Sequence, residues 1–525
     1  MNPRVITQSI AGNPLAVRAI AGTAPPGWYE EAPRSADAWR QRVDHIRSQF
    51  NADWVSRLSP AIHARGEAAA RLSRVADGKG VVVTTGQQAG LFGGPIYTLS
   101  KALTAVAFAD ALEAATGIPV APVFWAATDD TDFREASSTM VAQPGGAQLL
   151  RMDHLAPLGR PMAEMPLGDL SAELDALAAA TGATIDLSPI EILRRTYTAG
   201  ETVGSAYVKL LRELFEPLGL SVIDASHPAT RSEALPILRS ALAHASEISD
   251  AIAKRNAEIE REGFAPQVQD MPGLSLVFST SSGGRKRIPI KAARKHAVSE
   301  DMGPNVLLRP IVERAILPTA AYLGGPAEIA YFAQLRPVAT VLGAGQPLIL
   351  PRWSCTIIEP HVEKTLRELN LTPEDFRDPH EVEGRVARNH LPPRVLAELS
   401  TTREVIDARL EQLASAVSEE GAPIAQAVVG GLRANLTRRL DRFERRLIAA
   451  AKKERSALMK DLATARGSLY PMGKPQERAL NFIPFLARYG PALREEMLSE
   501  ARKHSVGFTG TANPAVQTAT ATELR

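Results

Sequence analysis

The residues Thr128-Asp129-Asp130-Thr131-Asp132-Phe133-Arg134-Glu135 set four carboxyl groups just past the apolar run Val120–Trp125. Carboxylates crowded in this way bind an ammonium group, bind a hard cation, or act as a general base with a raised pKa. A solvated acidic loop with an aspartate capping a helix is the plainer alternative. Asp129, Asp130 and Asp132 are the candidate catalytic residues. Upstream lies Gly86-Gln87-Gln88-Ala89-Gly90-Leu91-Phe92-Gly93-Gly94-Pro95. Its glycines allow close backbone approach to a ligand, and its two adjacent amides offer donors and acceptors without charge. The spacing is neither G-x-G-x-x-G nor a Walker A loop. A packing turn and a loop for a polar or anionic ligand both stay open. Gly-Gly-Pro recurs before a helix in Tyr322-Leu323-Gly324-Gly325-Pro326-Ala327-Glu328. Glu328 falls in a helix first turn, where it is either a capping carboxylate or a ligand contact. Arg352, just past Pro347–Pro351, suits a substrate carboxylate bidentately or forms a structural ion pair.

Regular elements must hold these groups. Val81-Val82-Val83-Thr84-Thr85 reads as a strand. Pro95 suits the first position of the helix that follows, in which Leu103, Val106, Ala109 and Leu112 recur at helical spacing. Strand, glycine loop and helix make the first turn of a doubly wound α/β sheet, where ligands meet the carboxyl ends of strands. Val120–Trp125, Gly219–Asp224 and Pro347–Pro351 are further strands. Residues 1–80 are peripheral helices, with Trp39, Val43, Ile46, Phe50, Trp54 and Leu58 on one apolar face. Two insertions are expected near 140–200 and 228–300, the second holding a hairpin signalled by Ser282-Gly283-Gly284 between Leu274–Ser279 and Lys286–Ile290. Beyond His361, Ile406, Leu410, Leu413 and Val417 form one helical stripe. Leu432, Leu436, Leu440, Phe443 and Leu447 form another, with Gly421-Ala422-Pro423 between them. These read as two antiparallel helices of a short coiled coil, a common dimerisation device.

The domain expectation is a core over 1–360, a helical coiled-coil domain over 361–505 and a disordered Thr/Ala-rich tail over 506–525. A chain of 525 residues exceeds one core, and its 22% charged and 45% apolar residues are those of a globular protein. Net charge +2 gives no reason to expect nucleic acid or a membrane as partner. One cysteine, Cys355, excludes an intrachain disulfide and reads as a packed thiol. No metal site is expected, since the ten histidines lack ligand spacing. The absence of a signal-like start and of a spanning apolar run makes a cytoplasmic location the expectation.

Several of these motifs together resemble the bacillithiol-biosynthesis cysteine-adding enzymes, the cysteine ligase BshC family. The resemblance is carried by Thr85–Thr98, by Pro122-Val123-Phe124-Trp125 with the acidic loop, and by Asn305-Val306-Leu307-Leu308-Arg309-Pro310. Tyr322–Leu335 with Pro337, Pro351-Arg352, and Pro475-Gln476-Glu477-Arg478 with Asn481 complete it. It implies a Rossmann-like doubly wound parallel core, similar to nucleotidyltransferases, with connecting-peptide insertions and a C-terminal coiled coil that makes a homodimer. It implies ATP-dependent ligation, with Mg²⁺, of L-cysteine to the amino group of glucosaminyl-malate. The substrate contacts it implies are Gly86, Gln87, Gln88, Gly93, Gly94, Tyr97, Arg309, Tyr322, Gly324, Gly325, Glu328 and Arg352. An ATP or ADP site maps to Tyr470, Gly473, Gln476, Arg478 and Asn481. Thr131 stands where the family carries a histidine. The alternatives are a nucleotide- or thiol-binding scaffold without turnover, or a ligase for a different amino-sugar acceptor.

Overall fold

The β-branched run Val81–Thr85 forms strand β1 (Val81–Gln88), buried from Val81 to Gly86, as a central parallel strand must be. The chain continues through β2 (Val120–Ala127), β3 (Ser221–Asp224), β4 (Leu274–Ser279), β5 (Lys286–Pro289), β6 (Met302–Pro304), β7 (Thr319–Gly324) and β8 (Ile349–Pro351). Helices α1 (Ile96–Thr116), α2 (Pro228–Ala243), α3 (Arg309–Ile316), α4 (Pro326–Phe332), α5 (Pro393–Glu419), α6 (Gln426–Glu454) and α7 (Ile483–Val506) are interspersed with others. This is a computed structural model; it describes residues 2–10, 12–152, 159–280, 284–421 and 423–510.

Five strands make one parallel sheet in the order β8-β7-β1-β2-β3. The chain steps outward from β1 to β3, then returns to the far side of β1. The reversal between β1 and β7 is the switch point at which such sheets open a crevice beyond their carboxyl ends. The expected hairpin is present: β4 pairs antiparallel with β5 and with β6. Its signal residues Ser282 and Gly283 lie outside the described residues.

Helix α1 makes the crossover from β1 to β2. Pro95 is its N-cap, one position earlier than expected, because its ψ of 169° is extended and keeps it out of the helix. Nearly every side chain of α1 from Ile96 to Ala109 is buried. A helix apolar on all sides needs a layer on each side. The sheet supplies one, and α7 packs along the other. Phe108 adds edge-on contacts to Trp39 (5.5 Å) and Phe508 (6.3 Å).

That packing shifts the domain boundaries. One compact unit comprises Met1–Val141, Gln148–Ile357 and Gln476–Arg525; the other comprises Ala142–Ala147 and Ile358–Pro475. The segment from Gln476 is thus grouped with the sheet, whereas the expected helical domain ran over 361–505. Val506–Gly510 is also not tail: Trp39 Nε1 donates to the Phe508 carbonyl (2.8 Å) and Thr509 is buried. The remainder of the expected tail, 511–525, lies outside the described residues. In the second unit α5 and α6 form the expected hairpin. Arg403 pairs with Asp441 and Glu444, and Arg433 with Asp407, which fixes an antiparallel register. Among the described residues, no helix is long and apolar enough to cross a membrane.

Candidate functional site

A cavity of about 320 Å³ opens where the switch point predicts, at the carboxyl ends of β1, β2, β7 and β8. Gly86, Gln87 and Gln88 end β1, and Asp129 and Asp130 follow β2. Asn305 and Arg309 open α3, Tyr322 lies near the end of β7, Gly325 and Glu328 begin α4, and Arg352 follows β8. The register places Gly86 beside Trp125 and Tyr322 beside Thr84. A Cβ on Gly86 would stand 2.8 Å from the Trp125 carbonyl oxygen, so only glycine lets these strands close up there.

The charged floor of the cavity is built around Lys101, 4% exposed. Its ammonium donates to the Gly86 carbonyl (2.7 Å) and Gln87 Oε1 (3.0 Å), and pairs with Glu328 Oε2 (2.6 Å). Burial pulls the Lys101 pKa down, opposed by Glu328. Burial alone would push the Glu328 carboxyl up. Lys101, the Gly325 N–H (2.7 Å) and the Tyr322 hydroxyl outweigh it and hold Glu328 below its ordinary value. Arg309 pairs with Glu313 (2.7 Å) and lies over the Tyr322 ring.

The acidic wall behaves differently. Arg285 grips Asp129 by its carbonyl (3.0 Å) and its carboxylate (3.3 Å). Burial nonetheless pushes the Asp129 carboxyl up, Arg285 opposing and Asp130 adding to the rise. Glu135 also lines the cavity, 3.5 Å from the Tyr97 hydroxyl, and is pushed up by burial and by Asp132 and Asp130. Arg478 lines the same cavity, is exposed, and has no hydrogen-bonded partner among the described residues.

Two family descriptions match the chain. "Bacillithiol biosynthesis BshC, N-terminal Rossmann-like domain" covers residues 26–301 and 290–353, and the corresponding "C-terminal coiled-coil domain" covers 355–510. The chain belongs to the BshC family. Its relatives include proteins named "Putative cysteine ligase BshC" from Solibacter usitatus, 30% identical over 88% of this chain and 90% of the relative. Those from Koribacter versatilis (32%, 85% and 86%) and Chlorobaculum tepidum (29%, 81% and 81%) carry the same name.

In this chain the cavity gathers Gly86, Gln87, Gln88, Tyr97, Asp129, Asp130, Arg309, Tyr322, Gly325, Glu328, Arg352 and Arg478. Other expected site residues are engaged elsewhere. Gly93 and Gly94, at φ +88° and +82°, shape a turn, and a Cβ on Gly93 would meet the Phe482 ring at 2.9 Å. Gly324 packs against Ile349, whose Cδ1 would lie 2.6 Å from a Cβ. The Ile96 N–H at the start of α1 donates to the Leu480 carbonyl (2.9 Å). Asp132 caps the next helical turn through the Glu135 N–H (3.2 Å). Arg352 makes the structural ion pair: it is 2% exposed, and Glu477 takes it bidentately at 2.7 and 2.9 Å.

The expected nucleotide residues are divided between the two units, with Gln476, Arg478 and Asn481 in the one that holds the sheet. Gln476 is buried and bonded to both polar atoms of the Ile357 backbone (2.7 and 2.8 Å). Asn481 is buried too, donating to the Phe92 carbonyl (3.0 Å) and Thr139 Oγ1 (3.1 Å). Tyr470 and Gly473 belong to the second unit. Cys355 is buried beside Ser100, its thiol pushed up to about 12 by burial, as a packed thiol should be.

Lys101, Glu135, Arg285 and Tyr331 line the cavity without having been assigned from sequence. Lys101 left a trace there, as a lone lysine one turn after Tyr97 in an otherwise apolar helix. Arg285, in a hairpin of mixed charge, left none.

Proposed function

We propose that the chain is an ATP-dependent ligase that joins the carboxyl group of L-cysteine to the amino group of glucosaminyl-malate, the closing step of bacillithiol formation. The observation that carries this is the switch-point cavity, where Asp129, Asp130 and Glu135 share a wall with Arg478, a cation with no hydrogen-bonded partner among the described residues. Amide formation needs an electrophilic carboxyl group and a neutral amine. A free carboxylate is a poor electrophile, so ATP with Mg²⁺ is the activating reactant. The amine needs a base, and Glu135, raised by burial and neighbouring carboxylates, is suited to take its proton. Asp129, held in place by Arg285, offers a carboxyl group for an ammonium group to meet. Arg478 and the outer face of Arg309 meet the carboxylates of the malate.

The reading includes a homodimer. Leu413, Leu432 and Phe443 of the α5–α6 hairpin are 45%, 46% and 52% exposed, an apolar stripe that a second copy would cover. It also includes a cytoplasmic setting, where cysteine and ATP are both available. The test is mass spectrometry of purified protein with cysteine, glucosaminyl-malate, ATP and Mg²⁺, omitting one component at a time. A product at the bacillithiol mass that disappears with each omission is the expected result. Absence of product in the complete mixture overturns the reading.

A further inference from the structure

Behind the acidic wall lies a second chamber of about 160 Å³ that shares Trp125, Asp129 and Pro304 with the main cavity. Arg285 stands at this junction, since it donates to the carbonyls of both Asp129 and Pro304. The main cavity is lined by charges of both signs. The chamber walls are mainly apolar, among them Ala225, Ala234, Leu238, Met302 and Val312. Polar side chains interrupt them at Asp129, Glu164, Thr230, Arg231 and Thr280. Trp125 Nε1 and Ser226 Oγ, from two further wall residues, are buried, and neither has a hydrogen-bond partner among the described residues. Trp125 as a whole is only 3% exposed. A buried N–H without a partner costs about 1–3 kcal/mol, so it marks a place where a ligand atom supplies the missing acceptor.

We infer that this chamber is the side-chain subsite for the amino-acid substrate and that it takes the thiol of cysteine. The inference rests on the ligase reading above and adds where and how cysteine is recognised. The chamber admits a short side chain. The apolar part of its wall, with Ala225, Ala234, Leu238, Met302 and Val312, suits a weakly hydrated sulfur. The indole N–H donates to the sulfur, and Ser226 Oγ either donates to it or accepts from the S–H. Asp129 at the neck then meets the cysteine ammonium, which leaves the cysteine carboxyl in the main cavity, on the side of Glu135 and Arg478.

Steady-state kinetics with Trp125→Phe, Ser226→Ala and Ala234→Leu test this, with cysteine, acceptor and ATP varied in turn. The two hydrogen-bond variants should each raise the KM for cysteine about three- to tenfold. The filled chamber of Ala234→Leu should raise it about tenfold or more. The KM values for acceptor and ATP should stay within twofold. Calorimetric titration of cysteine into each folded variant should show the same order of weakening, and Ser226→Ala, on a turn, tests the site even where Trp125→Phe does not fold. An unchanged KM for cysteine, or a raised KM for the acceptor, overturns the subsite while leaving the ligase reading intact. A wild-type protein that makes no cysteinyl product overturns the ligase reading instead. Calorimetry then decides the subsite alone: weakened binding in the variants supports it, and unweakened or absent binding overturns it.

Discussion

Lys101 ties the two sides of the switch point together. One ammonium group holds the Gly86 carbonyl and Gln87 at the end of β1, and Glu328 at the start of α4. Lys101→Met leaves the Glu328 carboxylate buried without its cation, and breaking a buried pair in that way costs about 3–5 kcal/mol. Urea unfolding should show that loss. Lys101→Met/Glu328→Gln should recover much of the stability but not the turnover, because Gln87 then loses the cation on its amide oxygen and keeps only its bond to Tyr97. Full turnover in the folded double variant would show that Lys101 only stabilises. Glu135 supplies a second prediction at this scale. Its folded pKa is raised, so it is still partly protonated where an ordinary carboxyl, near pKa 4.3 or so, is ionised. The ligation rate should therefore rise with pH through a limb above the ordinary carboxylate range, and Glu135→Gln should lower the rate and abolish the limb. The sign for stability is opposite. A raised folded pKa means the folded state binds the proton more tightly, so the contribution is full below the unfolded pKa and is lost as pH rises through the folded one. Glu135→Gln should accordingly help stability slightly at neutral pH and not in acid.

At the scale of elements, the Arg352–Glu477 pair fastens the end of β8 to the segment that leads into α7. Glu477→Gln leaves a buried guanidinium half-paired, with a loss of about 3–5 kcal/mol. The apolar swap Arg352→Met/Glu477→Leu should recover most of it in the same denaturation assay. If the double variant were instead the least stable, the pair would be favourable in its own right. This pair also shows where sequence reading stops. Strands β1, β2, β3 and β8 were legible because apolar runs bounded by glycine and proline have few alternatives, and a parallel sheet puts its chemistry past strand ends. The acidic loop, the second Gly-Gly-Pro loop and the tips of β1 and β8 were therefore legible as a crevice, whereas β7, with its alanines and no β-branched run, was not read as a strand. The partner of Arg352 was not: an arginine after a strand looks the same whether it grips a ligand or a glutamate 125 positions later in the chain. Gly93 and Gly325 show the same limit, since both precede a Gly-Pro or Pro helix start and only Gly325 reaches the cavity. The placement of α7 was missed because helical periodicity reveals an apolar face but not which layer that face covers.

At the scale of the molecule, the separation into two units makes a prediction about assembly and activity together. Every residue around the cavity belongs to the unit that contains the sheet. The exposed stripe with Leu413, Leu432 and Phe443 belongs to the other. Among the described residues of the α5–α6 hairpin, only Leu410, Val429 and Ala451 are well buried within a single chain, at 8%, 6% and 5% exposure. The hairpin thus leaves apolar surface that a second hairpin can cover, and flanking arginines such as Arg438 and Arg442 can ring that contact. Leu432→Lys/Phe443→Lys would bring two more positive charges into it. Both side chains are exposed within one chain, so each change should alter the folding of that chain by only about 0.5 kcal/mol. Light scattering after gel filtration should show the wild type at twice the chain mass and the variant at the chain mass. Because no hairpin residue lines the cavity, the monomeric variant should keep its ligation rate per chain. A monomeric wild type would remove the dimer. A variant that loses rate along with its partner would mean that assembly holds the sheet unit in its working form.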